Sequence, residues 1–267
     1  MTLPNPAAKA QSARKFKTPR TILALILREM ETTYGQSPGG YIWAIIQPAL
    51  GIALLSFVFS LAFRSPSIGT NFPVFYATGM LPFTLYNETA NKTAQALRFS
   101  RQLLQYPGVR YSDAIIARFL LNLLTHLLVF YVVMTGIHYM YDLAVFLDIP
   151  AILISLCMVA VLGLGIGCLN CVLMSMFPIW RQFWAVLTTP MFILSTILFT
   201  FEVVPAIYRD YLWYNPLVHV VGLMRRGFYP TYDATYVSIP YVFGVALVTL
   251  VLGLAFLKRY HRDILNL

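Results

Sequence analysis

Charge is what this sequence has least of. Asp and Glu together number 10 in 267 residues, and charged residues of both signs make up 11% of the chain while 59% is hydrophobic; a soluble globular domain carries roughly 25% charged residues. So few charges cannot wet a folded surface, which excludes an ordinary water-soluble domain. Cysteine is nearly as scarce. Cys157, Cys168 and Cys171 lie in one apolar run, so neither a disulfide framework nor a four-cysteine zinc site can be built, and the Cys168/Cys171 pair reads as packing. The four histidines show no metal-ligand spacing, and no Ser/His/Asp or Cys/His constellation stands out, so no catalytic or metal-binding residue is expected. A Gly-Lys pair is missing altogether, which excludes the phosphate-cradling loop GxxxxGK[ST]. If ATP drives this protein, the ATPase is another chain. The run GLGIGC at 163–168 has no strand before it, and Gly163 and Gly167 read instead as a small-xxx-small contact between membrane helices.

Long apolar runs are what the sequence has in excess. About 20 apolar residues cross a hydrocarbon core of about 30 Å, and the runs place six spans near 41–63, 72–97, 113–140, 150–177, 183–203 and 239–257. The fold class is therefore an all-α membrane protein. Residues 1–17 form a polar, basic tail without the apolar core of a signal peptide, 18–34 an amphipathic helix too charged to span and expected to lie in the interface, and 35–267 a single transmembrane domain. A turn at Gly35–Gly40 joins the last two. Outside the apolar cores, fifteen Lys and Arg fall on the side of the termini and four (Arg64, Arg209, Arg225, Arg226) on the other, so both termini are expected in the cytosol. The net charge of +9 belongs to this topology rather than to nucleic acid, since no basic block carries interleaved aromatics.

Two segments are more than connections. Residues 98–112 form a short basic stretch whose Leu103, Leu104 and Tyr106 have no obvious core to enter, a candidate docking knob for a cytosolic partner. Residues 202–238 are aromatic and amphipathic but broken at Pro205, Pro216 and Pro230. They read as two short helices tucked back into the outer face, where irregular backbone is tolerable if protein covers it.

Span two is the most polar. Glu88 and Lys92 stand one helical turn apart, as do Asn87 and Asn91, and ionisable groups at membrane depth usually face protein or water. With Tyr76, Phe83 and Tyr86 on the same span and Phe130 and Tyr131 on span three, they are candidates for a substrate path, since aromatic faces slide along sugar C–H surfaces. The bland alternative is a structural pair, with Lys92 snorkelling to the interface. Asn122 and His126 read as an interhelical hydrogen bond more readily than as a proton relay. An ion-coupled carrier using Glu88 and His126, and a membrane-embedded transferase acting on lipid-linked sugars, are the rival functions.

Four segments carry a resemblance: LREMETTYGQSPGGYIWAIIQP at 27–48, FPVFYATGMLPF at 72–83, DAIIARFLL at 113–121 and YNPLVHVV at 214–221. Through them the chain resembles the membrane subunit of bacterial capsular polysaccharide ABC exporters, the ABC-2 type permeases. The resemblance implies a homodimer of six-helix subunits with no cofactor of its own. Separate cytosolic nucleotide-binding subunits would bind ATP and Mg, and the substrate would be a lipid-linked polysaccharide crossing the inner membrane of a Gram-negative bacterium. A periplasmic co-polymerase and an outer-membrane channel are the further partners it implies. It would place Arg28, Glu29, Tyr34, Arg101, Leu104, Tyr106 and Arg110 at the ATPase contact, and Arg209, Trp213, Asn215, His219, Arg225 and Arg226 in a periplasmic gate. Thr33, Gly39 and Gln47 depart from the family's usual residues, as do Gly222 and the Arg225–Arg226 pair. The added positive charge suits an acidic polymer, although these two arginines could equally pair with lipid headgroups or with Asp210 and Asp233.

Overall fold

The computed structural model describes residues 17–34, 39–104, 109–141 and 147–266, and their regular structure is helical throughout. In chain order the helices are α1 (Lys17–Tyr34), α2 (Gly40–Ala62), α3 (Phe72–Ala94), α4 (Ala96–Phe99), α5 (Arg101–Leu104), α6 (Tyr111–Tyr141), α7 (Ile149–Met176), α8 (Pro178–Leu194), α9 (Ala206–Trp213), α10 (Pro216–Phe228) and α11 (Ile239–Asn266). Four of them, α2, α6, α7 and α11, are long and apolar enough to cross a membrane. The other two expected spans fall short for different reasons. α3 has 23 residues but carries the polar cluster, and α8 has only 17.

α7 is the axis of the bundle, buried along most of its length, with α3 and α11 packed tightly against it. Its small residues permit this. A Cβ on Gly163 would lie 3.0 Å from Thr89 Cβ, and one on Gly167 would lie 2.6 Å from Thr93 Cβ, so the face expected to receive a neighbouring helix receives α3. The opposite face meets α11, where a Cβ on Gly253 would lie 2.7 Å from the backbone nitrogen of Leu169. α6 closes on α3, with Asn122 donating to Thr89 Oγ1 at 3.1 Å; His126 turns back to the Asn122 carbonyl on its own helix. α2 begins after Gly39, whose φ of +80° lies in the left-handed region. A leucine would be strained there.

α8 departs from the expected span at 183–203. It starts at Pro178, so Pro178–Gln182 is its first helical turn rather than an interhelical loop, and it stops at Leu194. The stop is a left-handed residue, Thr196 at φ 58°, in the position where helices usually place glycine. From there the chain runs irregularly to a 3-10 turn at Phe201–Val203 before α9 and α10, the two short helices expected in 202–238. α8 is also loosely packed, with Trp184 its one buried residue.

Candidate functional site

At the basic end of the bundle a single guanidinium ties four helices together. Arg118 on α6 donates from Nε to Glu29 Oε1 on α1 at 2.7 Å and from Nη1 to the Lys92 carbonyl near the end of α3 at 3.1 Å. Its Cζ stands 4.1 Å from the centroid of the Phe99 ring on α4. Helix ends leave carbonyls without intrahelical partners, so the arginine satisfies an orphan of α3 while holding α1 down. Both charged side chains are buried, at 6% and 10% exposed, where attraction between the charges is strong and loss of either partner is costly.

This geometry revises the expected contact surface. Glu29 turns inward to Arg118 instead of facing a partner, and Leu23 and Leu27 are the exposed apolar residues of α1. Arg28 is half-buried, and Arg101 on α5 and Arg110 before α6 are exposed. Leu104 does have a core to enter: it packs against a cluster formed by Ala96, Leu97, Ile115 and residues of α7 and α11. Tyr34 is the last residue of α1, and Tyr106 lies outside the described residues. Arg118 itself escaped sequence reasoning, which counted it only as a topology charge. Its position inside the apolar run AIIARFLL was the available signal.

The residues assigned to a path are placed differently from one another. Tyr76, Phe83 and Tyr86 are packed within the chain, Phe83 edge-on to Phe192 of α8 at 5.4 Å. Phe130 is half-buried against Phe228, and Tyr131 is 68% exposed on the outside of α6. Asn87 and Glu88 are half-buried. Asn91 donates to Asn87 Oδ1 at 3.0 Å, the pairing their spacing implies, and Asn87 lines a cavity.

At the opposite end most of the residues assigned to a gate are braced by hydrogen bonds. Asn215 caps α10 by accepting from the Leu217 N–H and donates to the Leu194 carbonyl where α8 stops. His219 Nδ1 accepts from the Ser238 N–H, which leaves its Nε2–H to donate to the Trp213 carbonyl at 2.8 Å. Burial lowers the pKa of this imidazole, with the backbone bonds to it opposing. Trp213 donates to the Tyr236 carbonyl, and burial pushes the Tyr236 phenol up to about 12. Arg209 holds the Val204 and Glu202 carbonyls, while Arg226 is exposed. Tyr208, Tyr211 and Tyr214 line a groove of about 650 Å³ with Leu187 and Met191 of α8.

Arg225 overturns its expected pairing. It is 0% exposed and forms no ion pair with a carboxylate among the described residues. Nη1 and Nη2 donate to the Phe199 and Ile197 carbonyls at 2.8 and 2.9 Å, and its Cζ lies 4.1 Å from the centroid of the Phe75 ring. A buried charge is tolerable only when paired or hydrogen-bonded, and here it is the broken end of α8 that supplies the acceptors.

An α-helical integral membrane protein is thus defined, with a peripheral helix clasped onto one end of its bundle and a braced pair of short helices at the other. Residues 20–229 match the family model described as ABC-2 type transporter, and the chain belongs to that family. It is 32% identical to the polysialic acid transport protein KpsM of Escherichia coli over 92% of this chain and 95% of that protein. It is 26% identical to the capsule polysaccharide export inner-membrane protein CtrC of Neisseria meningitidis and 24% identical to BexB of Haemophilus influenzae, described in the same words. Each of these two matches covers 92% of both chains.

Proposed function

We propose that this chain is the membrane-spanning subunit of an ATP-driven exporter that moves a lipid-linked, acidic capsular polysaccharide across the bacterial inner membrane. The observation that carries the reading is the Arg118 clasp, because it fastens the peripheral helix α1 and the α4 turn onto the long helices α3 and α6. A push delivered to that end by a nucleotide-binding partner then reaches the spanning helices as a rigid-body displacement. In this reading both termini lie in the cytosol and α2, α3, α6, α7, α8 and α11 cross the membrane, the polar α3 and the short α8 inside protein. Two copies pair, each with an ATPase subunit that binds ATP and Mg. The tyrosine groove and gate face the periplasm, toward a co-polymerase and an outer-membrane channel.

The test is to purify the native complex in mild detergent and reconstitute it into sealed vesicles with the ATPase outside. Polymer uptake that requires ATP hydrolysis, and persists when the proton gradient is dissipated, is the expected outcome. A preparation of intact subunit in which no ATPase co-purifies, or in which uptake collapses with the gradient, points to an ion-coupled carrier and ends this reading.

A further inference from the structure

Between α3 and α8, at the basic end of the bundle, two cavities share the walls Gln95, Met174 and Arg181. The outer one, about 430 Å³, carries Arg98, Arg101 and Arg181, and the first residue of α8, Pro178, stands in its lining. The inner one, about 210 Å³, is lined by Asn87, Asn91, Gln95, Thr188 and Trp184. Among the described residues no Asp or Glu lines either, so three arginines stand around a recess whose described walls carry no acid. Guanidinium geometry matches oxyanions, bidentately where it can.

The inner chamber has a different chemistry. Asn91 spends one N–H on Asn87 Oδ1, which leaves the Asn87 amide donors and the Asn91 carbonyl oxygen of this pair for other bonds. Thr188 donates to the Trp184 carbonyl, so its oxygen still has acceptor capacity. The indole N–H of Trp184 is buried with no partner. Amides and a hydroxyl that each offer both donors and acceptors, beside an indole, suit a polyhydroxylated ring with its C–H faces and alternating hydroxyls. At about 30 Å³ per water, the inner volume is that of several waters, the scale of one sugar ring.

We propose that these joined cavities bind a terminal acidic sugar of a glycan, its oxyanion against Arg181 and its ring hydroxyls on Asn87, Asn91, Gln95 and Thr188. This deepens the exporter reading and rests on it: the site is where the subunit takes hold of its substrate on the basic side. Oxyanion recognition is shared by a sugar carboxylate and a lipid phosphate; the amide-lined chamber behind the arginines assigns it to the sugar.

The experiment uses the complete exporter in nanodiscs of zwitterionic lipid, with short oligosialic acid and oligoglucuronic acid as probes and maltohexaose as the neutral comparison. The acidic oligosaccharides bind and maltohexaose does not. Arg181→Ala and Gln95→Leu weaken binding at least about tenfold, the scale of losing one charge-assisted hydrogen bond, and Arg181→Lys retains part of the affinity. Both positions are exposed, so the variants fold. Unchanged affinity in Arg181→Ala, in a complex that still exports polymer, removes the site and leaves the exporter reading standing. A wild-type complex with ATPase that exports no glycan removes both. Displacement of the oligosaccharides by phosphatidylglycerol in the nanodisc, lost in Arg181→Ala, transfers the site to a lipid phosphate and overturns the glycan assignment.

Discussion

Arg225 and Arg226 are neighbours with opposite surroundings: one is sealed in the protein on two carbonyls and an aromatic ring, the other is exposed. Replacing Arg225 with Met keeps the volume but leaves the buried Ile197 carbonyl and the half-buried Phe199 carbonyl without these donors, a loss of about 2–4 kcal/mol. Arg226→Ala is expected to stay within about 0.5 kcal/mol of wild type. Thermal unfolding of the detergent-solubilised protein separates the two; equal melting temperatures would mean that Arg225 does not hold the end of α8. The sequence could place Arg225 on an apolar face, since Val218, Val221 and Gly222 precede it at helical spacing. It could not name the acceptors, because these are backbone carbonyls and every residue has one. The same blindness hid the Lys92 carbonyl that Arg118 holds, whereas side-chain pairs within one helix, such as Asn87 and Asn91, were legible from spacing alone.

Helix contacts in this bundle are set by where side chains are absent. Gly253 sits against the backbone of Leu169 and Cys168, at 2.7 and 2.8 Å from a Cβ it lacks, and backbone cannot move aside as a flexible side chain can. Gly253→Ala therefore forces α7 and α11 apart, with a cost of about 1–3 kcal/mol from overpacking. Gly244, on the same helix with nothing within 4 Å of its missing Cβ, is the comparison. There alanine is neutral or gains up to about 1 kcal/mol of helix propensity. If both variants melt alike, the close approach of α7 and α11 is not what stabilises the bundle. The apolar runs made α2, α6 and α7 readable to within a few residues, and the start of α11, whose helix continues past the apolar run to Asn266; the GLGIGC run disclosed the α7 face that receives α3. The end of α8 stayed hidden because an apolar run reports burial and not helicity: Thr196 to Thr200 are as apolar as a span demands, yet they leave the helix through a strained threonine and are held by residues far along the chain.

For the molecule as a whole the proposed function requires motion at the basic end to reach the proposed gate, and the clasp gives a direct handle on it. Glu29→Gln keeps the shape of the side chain while removing its charge, so Arg118 is left buried with its Lys92 and Phe99 contacts but no counter-charge. Breaking a buried pair in this way costs about 3–5 kcal/mol, enough to let α1 separate from α6 without dismantling the rest of the bundle, in which α3 and α11 pack on α7, and α2 and α6 on α3. ATP hydrolysis by the assembled exporter should then continue near its wild-type rate while polymer transported per ATP falls at least about tenfold, a coupling loss of about 1.4 kcal/mol or more. The double variant Glu29→Met with Arg118→Met removes both charges and replaces them with apolar contact, so it should restore stability beyond the single variant. Coupling should recover with it if the fastening of α1 is what transmits the stroke. Assembly is checked in each case by co-purification of the ATPase. Full transport per ATP in an assembled Glu29→Gln exporter would show that the stroke enters the bundle elsewhere, with the exposed Arg101 and Arg110 as the next positions to test.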